Sequence, residues 1–382
     1  MNRLSPESEE NMTRKFQWVS FLSALLAAAL LAGCVFPLAA AEKSWAKFTR
    51  RENSIFDTET TFIGFAETEE EFDRVWDEVL SRLRRYDQVF DAYHGYDNLH
   101  NLYYLNRHAF QEPVAVPQEL FQLISWCKQQ WESGLRSTNI AMGAVLSIWH
   151  EYREAGINNP DSAALPPMAD LEKASGHTSF DSVVLDEEKQ TVFYTDPDLS
   201  LDIGAVAKGW AADAVLPYLK ESMPSFLLSL GGNVYAGDKP MDGRSAWAVG
   251  VQDPRADMLS VSLGGTDILD IVDVRDQTVV TSGDYWRFYV VDGQRYHHII
   301  DPETLMPSRQ MLSVTVICKS SALADFLSTT LFVLSYEEGL ALVQGMDGVE
   351  AMWVLPDGSV QCSPGMAAYA RSLKNAAGGT GK

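Results

Sequence analysis

Four short segments of the chain gather side chains that could do chemistry. In Ala322-Leu323-Ala324-Asp325-Phe326-Leu327-Ser328-Thr329, Asp325 and Thr329 stand four apart. On a helix their oxygens lie on one face, a turn apart, and could hold one hard cation. Magnesium suits such a pair, because it takes few protein oxygens and completes its shell with water and substrate phosphates. Asp325 is set among Leu323, Phe326, Leu327, Leu331 and Phe332, and a carboxylate in that company needs a partner. In Leu201-Asp202-Ile203-Gly204-Ala205-Val206-Ala207-Lys208-Gly209 an apolar strand gives way to a helix with Lys208 in its first turns. Exposed N–H groups at a helix start, with a lysine beside them, make a seat for phosphate; a plain strand-to-helix turn with a surface lysine reads the same locally. Leu230-Gly231-Gly232-Asn233 is either a tight turn between strands or a place where a ligand comes close to bare backbone. Thr281-Ser282-Gly283-Asp284-Tyr285 and Tyr296-His297-His298-Ile299-Ile300-Asp301-Pro302 bring hydroxyls, a carboxylate and two histidines to one hairpin. Neighbours on a strand point opposite ways, so His297 and His298 do not share one ion; one belongs in a site and the other is structural or exposed.

The elements that must position these groups are a mixture of hairpins and helices. Ser54 to Phe65 alternates as a strand, and Glu67 to Phe90 carries Phe72, Val75, Trp76, Val79, Leu80 and Leu83 at helical spacing. Asn98 to Asn106 and Pro117 to Leu135 repeat the helical pattern, followed by a polar loop over Asn158 to Pro167. A hairpin is expected around Glu187 to Gln190 and another around Pro356-Asp357-Gly358. Further strands are expected at Phe226 to Leu230, Trp247 to Val251, Thr278 to Thr281, Arg287 to Val291 and Ser313 to Cys318. Helices follow from Ser321 and from Ser335, the second with Glu338 in capping-box position. This order predicts an α+β fold, one large domain over residues 51–370 with mixed or antiparallel sheets and flanking helices, then a disordered tail over 371–382.

Composition narrows the partners. The 382 residues are 46% hydrophobic and carry a formal charge of −22, enough apolar surface for a large core and no basic face of the kind that nucleic acid requires. At the N-terminus, Arg14 and Lys15 precede an apolar stretch, Phe21 to Leu31, that ends in Leu31-Ala32-Gly33-Cys34. That pattern resembles a bacterial lipoprotein signal. It implies a signal peptide over 1–33, a lipidated Cys34, a tether over 34–50, and a membrane-held protein of the cell envelope facing the periplasm or the exterior. The other cysteines, Cys127, Cys318 and Cys362, have no metal-site spacing and read as buried thiols.

Taken together and in order, the four segments resemble the ApbE family of FAD:protein FMN transferases, over about Ile55 to Pro356. Phe56-Asp57-Thr58 is similar to the family's opening motif, whose first residue lies against the flavin, and Tyr93 falls where a second flavin-contacting aromatic is expected. Thr138-Asn139-Ile140 with Gly143 resembles the next cofactor segment, where the family usually shows Phe-Asp. The resemblance implies that Asp202 and Lys208 contact FAD, and that the Ala205 carbonyl joins Asp325 and Thr329 around magnesium. It also implies that Ile299 touches the cofactor and that His298 or Asp284 takes the proton of the incoming hydroxyl. After Asp301-Pro302 the family continues with Thr-Gly where this chain has Thr304-Leu305-Met306, which implies another loop shape. The activity implied is magnesium-dependent transfer of FMN from FAD to a threonine of an acceptor protein, with AMP leaving. Acceptors of the type of the FMN-bearing subunits of Rnf or sodium-translocating NADH:quinone reductase complexes would fit. A periplasmic FAD pyrophosphatase and a non-catalytic flavin-binding lipoprotein are the alternative readings of the same segments.

Overall fold

A β-hairpin opens the described chain: Ala46–Ile55 runs antiparallel to Thr58–Ala66 at one edge of an eight-stranded sheet. The order continues through Phe226–Leu230, Asn233–Ala236, Gln277–Gly283, Ser313–Cys318, Glu350–Val354 and Val360–Cys362. Among the described residues every strand pair is antiparallel. The computed structural model describes residues 44–256, 267–285 and 287–378, and the residues from Ala46 on make one compact unit. The expected signal peptide, Cys34 and most of the tether lie outside the described residues.

Burial follows sequence. All six residues of Ser313–Cys318 are buried, as a strand covered on both faces must be. One face of the sheet meets Glu69–Phe90 and Ala207–Ser222 through Phe62, Phe72, Trp76, Val215 and Phe226. The other face is covered by the ribbon Trp247–Gln252 with Ile268–Val274, through Phe65, Trp247, Val249 and Val272. Glu69–Phe90 is started by Thr68, whose hydroxyl accepts from the Glu71 N–H at 3.2 Å, and three glutamates in its first turn suit the positive end of the helix. Its six apolar residues at helical spacing are buried, as expected.

The α+β class and the hairpins hold, with differences at the margins. Residues 46–50, expected as tether, are strand: Lys47 to Arg50 pair with Phe62 to Phe65. The expected tail is a helix as far as Gly378, with Arg371 Nη2 2.8 Å from Asp273 Oδ1 and the Ser372 hydroxyl donating to Asp270 at 2.6 Å. The second helix runs over Leu102–His108 rather than Asn98 to Asn106. Two helices were not expected, Gly143–Asn158 and Met168–Ser175. Cys127 and Cys318 are buried, whereas Cys362 is only partly so.

Candidate active site

Two hairpin turns lie side by side at one end of the large sheet. The pair Ile55 and Thr58 closes a two-residue turn in which Phe56 and Asp57 have φ of 52° and 50°. Leu230 and Asn233 close another, with Gly231 at 55° and Gly232 at 93°. Two left-handed residues in a row are what a tight hairpin requires, and glycines supply them without strain. Phenylalanine does not, at about 1–2 kcal/mol. Its backbone is held from both sides: the Phe56 N–H donates to Asp87 Oδ1 at 2.8 Å, and Arg287 Nη2 donates to the Phe56 carbonyl at 3.3 Å. Such contacts hold a half-buried aromatic ring, packed in part against the core, in a strained backbone. The turns touch, since a Cβ on Gly231 would meet Thr58 Oγ1 at 2.1 Å.

Behind this end of the sheet, two helices make their closest approach at Gly209. A Cβ there would meet the Ser321 carbonyl oxygen at 2.2 Å and Asp325 Cβ at 2.7 Å. Ser321–Val333, which carries Asp325, is capped from the neighbouring helix. The Asp213 carboxylate accepts from the Ser321 N–H at 2.8 Å, the Ala322 N–H at 3.0 Å and the Ser320 hydroxyl at 2.7 Å. Gly209→Ala is therefore expected to destabilise the protein by about 1–3 kcal/mol, as overpacking does, measured by urea denaturation; an unchanged midpoint would show that the helices can part at no cost.

The helix starts at Ala207, so the Gly209 N–H is one of the donors that a helix start leaves without an intrahelical partner. It donates to Asp325 Oδ2 at 2.9 Å. The Ala205 carbonyl accepts no backbone hydrogen bond among the described residues, and Thr329, half-buried one turn beyond Asp325, has a hydroxyl with no partner among them either. Asp325 is 4% exposed. Burial raises its pKa, while Lys208, with Nζ 3.9 Å from Oδ1, opposes that shift. A buried carboxylate, a free carbonyl and a free hydroxyl are oxygen donors of the kind magnesium takes, so the residues present fit that ion.

The hairpin Phe288–Val291 with Gln294–His297 brings in the histidines. His297 is buried, with Nε2 2.9 Å from the Ser308 carbonyl and its ring edge-on to Phe332. Burial brings its pKa down to about 4, and its place is structural. His298 points the other way. Its Nδ1 is buried with no hydrogen-bond partner among the described residues. Burial, then the positive charge of Arg287 and, further down, those of Arg153 and Lys208, hold its pKa at about 3. Asp284 also has a buried, unpartnered oxygen, Oδ1. Burial raises its pKa against the pull of Arg295 and Arg309, so its charged neighbours are not those of His298. Ser282 ties this strand end to the Asp325 helix through Ser328 Oγ at 2.8 Å.

A family model described as the ApbE family matches residues 56–353. The chain is 35% identical to a FAD:protein FMN transferase of Treponema pallidum over 311 residues, 78% of this chain and 81% of the relative. The chain belongs to the ApbE family. A FAD:protein FMN transferase of Klebsiella pneumoniae is 31% identical over 72% of this chain and 80% of its own length. The crystal structure of the ApbE protein from Thermotoga maritima superimposes with a TM-score of 0.72 at 26% identity, covering 85% of this chain and all of that one.

Of the residues that the ApbE resemblance implies, Lys208 Nζ lies 3.9 Å from Asp325 Oδ1, and Asp202 Oδ1 accepts from the Gly204 N–H at 2.8 Å. Tyr93, 53% exposed, lies against His150 with ring centres 4.9 Å apart. Ile299 is buried, with its N–H 3.2 Å from His297 Nδ1. The Thr138 hydroxyl is engaged with Thr330 Oγ1 at 2.8 Å and the Phe326 carbonyl at 3.2 Å. Asn139 uses its amide on the Thr178 carbonyl and the Ala141 N–H, both at 2.9 Å. Both side chains are engaged within the protein. Leu305 also departs from expectation. Its φ of 59° is the conformation a glycine would take, and its carbonyl accepts from Trp149 Nε1 at 2.9 Å. Leucine thus holds a left-handed turn where the resemblance puts glycine. His177, Asp196 and Asp198 form a separate group with possible ligand atoms within 4.8 Å of one another. There His177 Nδ1 already bonds Asp196 at 2.9 Å, and none of the three belongs to the segments above.

Sequence reasoning missed Asp213, whose capping reaches across 108 residues, and Arg153, on the unexpected helix Gly143–Asn158. The buried pair Val145 and Trp149, four apart, is the signal that could have found that helix.

Proposed function

We propose that this chain is an FAD:protein FMN transferase, which moves FMN from FAD to a threonine hydroxyl of an acceptor protein and releases AMP. The observation that carries this reading is the buried Asp325 carboxylate, which accepts from the Gly209 N–H at a helix start and lies 3.9 Å from Lys208 Nζ. Bound there, a magnesium ion would supply positive charge against the diphosphate of FAD. Lys208, held beside Asp325, binds phosphate oxygen. Phe56 and Tyr93 offer aromatic surface to the flavin, and the backbone turn at Gly231 and Gly232 lets the ligand approach closely. His298, neutral and with an open nitrogen, takes the proton of the threonine as its oxygen attacks the phosphorus on the riboflavin side. Asp284, whose charged neighbours differ, is the second choice for that role. Cys34 carries a lipid that holds the protein at the membrane of the bacterial envelope, where membrane-bound acceptors of the Rnf or NADH:quinone reductase type are within reach.

Incubation with FAD, magnesium and such an acceptor, followed by intact-mass measurement, tests the reading. Gain of one FMN unit, less water, on the acceptor threonine is the expected result. FAD cleaved to FMN and AMP with the acceptor unchanged would make the protein a pyrophosphatase, and FAD left intact would make it a flavin-binding protein.

A further inference from the structure

Arg153 has no part in the scheme above, yet its position is closely built. It lies on Gly143–Asn158 with a side chain 14% exposed, and its Nη2 is 2.7 Å from His150 Nδ1. His150 in turn packs tilted against Tyr93. Arg153 is therefore joined to one of the two aromatics assigned to the flavin, while Arg287 is joined to the other through the Phe56 carbonyl. Arg287 is itself in a left-handed conformation, φ 46°, uncommon for a side chain of that size.

Arg153 is only weakly paired within the protein, with Asp202 acting on it from beyond ion-pair distance. Among the described residues, the one carboxylate within ion-pair distance of Arg153 is its sequence neighbour Glu154, 3.7 Å away and half exposed. A guanidinium carries five N–H donors, and His150 is the one side-chain hydrogen-bond partner of Arg153 among those residues. Burial, with a further contribution from Arg287, pulls its pKa down. Arg153, Arg287 and Lys208 all act on His298. Cations that all act on one histidine, with donors to spare, are completed by an anion set among them.

We propose that Arg153 is a donor-site residue that grips the diphosphate of FAD and takes up the charge released on the departing nucleotide, a role that rests on the transferase reading. As the acceptor oxygen bonds to phosphorus, its proton passes to His298. The bond from that phosphorus to the bridging oxygen breaks, and the electron pair stays on the AMP phosphate. A planar guanidinium matches two phosphate oxygens at once, which a lysine does not.

The test compares FAD with riboflavin, which lacks the phosphates, using flavin fluorescence on the full chain in EDTA, with transfer rates measured separately. In Arg153→Gln the FAD Kd is expected to rise about 10- to 100-fold, as for loss of a hydrogen bond to a charged group, with the riboflavin Kd unchanged. Arg153→Lys is expected to recover part of the loss. An equal change for both flavins would make the residue structural, and no change for either would remove it from the site. Should the glutamine variant fail to fold, an unchanged FAD-to-riboflavin ratio in Arg153→Lys would overturn the proposal. The two readings fail separately. Wild-type protein that separates FAD from riboflavin through Arg153 but modifies no acceptor refutes transfer alone, whereas normal transfer with an unchanged ratio in the variants refutes the role of Arg153 alone.

Discussion

Asp325→Asn is expected to slow FMN transfer at saturating magnesium by about 1,000-fold or more, since a metal ion stabilises a phosphoryl transition state by several kcal/mol. Asparagine keeps the shape of the side chain and an oxygen to accept the Gly209 N–H, so the helix contact survives and the loss reports charge rather than folding. Replacing a buried carboxylate by an amide also removes the group whose ionisation burial opposes. The variant should therefore unfold at a denaturant concentration close to that of the parent. Transfer rates against magnesium concentration, beside urea denaturation, check both halves. A variant that transfers FMN at the parental rate and with the parental magnesium dependence would remove Asp325 from the centre.

For His298→Ala the expected loss is about 100- to 10,000-fold in the transfer rate, with FAD affinity little changed, because a general base acts on the acceptor hydroxyl and not on the dinucleotide. Its pH behaviour should be unusual. With a folded pKa of about 3, the imidazole stays neutral well below the value near 6.5 of an ordinary histidine, so the rate should show no histidine limb between pH 5 and 7. The stability sign follows. The folded-state pKa lies below the unfolded one, so between pH ~3 and ~6.5 the unfolded chain binds more protons. The contribution of His298 to stability is thus unfavourable at low pH and vanishes as pH rises through that window. His298→Ala should make denaturation less pH-dependent over the same range. A larger loss in Asp284→Asn than in His298→Ala would reverse the assignment of the base.

The parts of this protein that could be read from its sequence are those whose cause is local. The capping box at Ser335 and Glu338 is present with both of its hydrogen bonds, and both predicted hairpin turns join paired strands. Asp325 and Thr329 needed only helical spacing to share a face. What escaped depends on distant partners. Ala46–Ile55 has only Ile55 buried, so no apolar alternation marks it, and it is a strand because Thr58–Ala66 lies beside it. Gly143–Asn158 buries a narrow stripe and lacks a side-chain cap. The hydrogen bonds that place Thr138 and Asn139 come from Phe326, Thr330 and Thr178, distant in the chain. The left-handed Leu305 defeats a propensity argument, since its turn is fixed by Trp149 and Asp301 from outside.

With no side chain at residue 209, two helix beginnings can meet face to face, and Asp325 is set in place by packing and capping that need no ion. A cation site built there would be formed before any ion arrives. Its occupancy would follow the free cation concentration smoothly, without a folding step to sharpen the response, and any control over the reaction would fall on the supply of dinucleotide and on the docking of the acceptor.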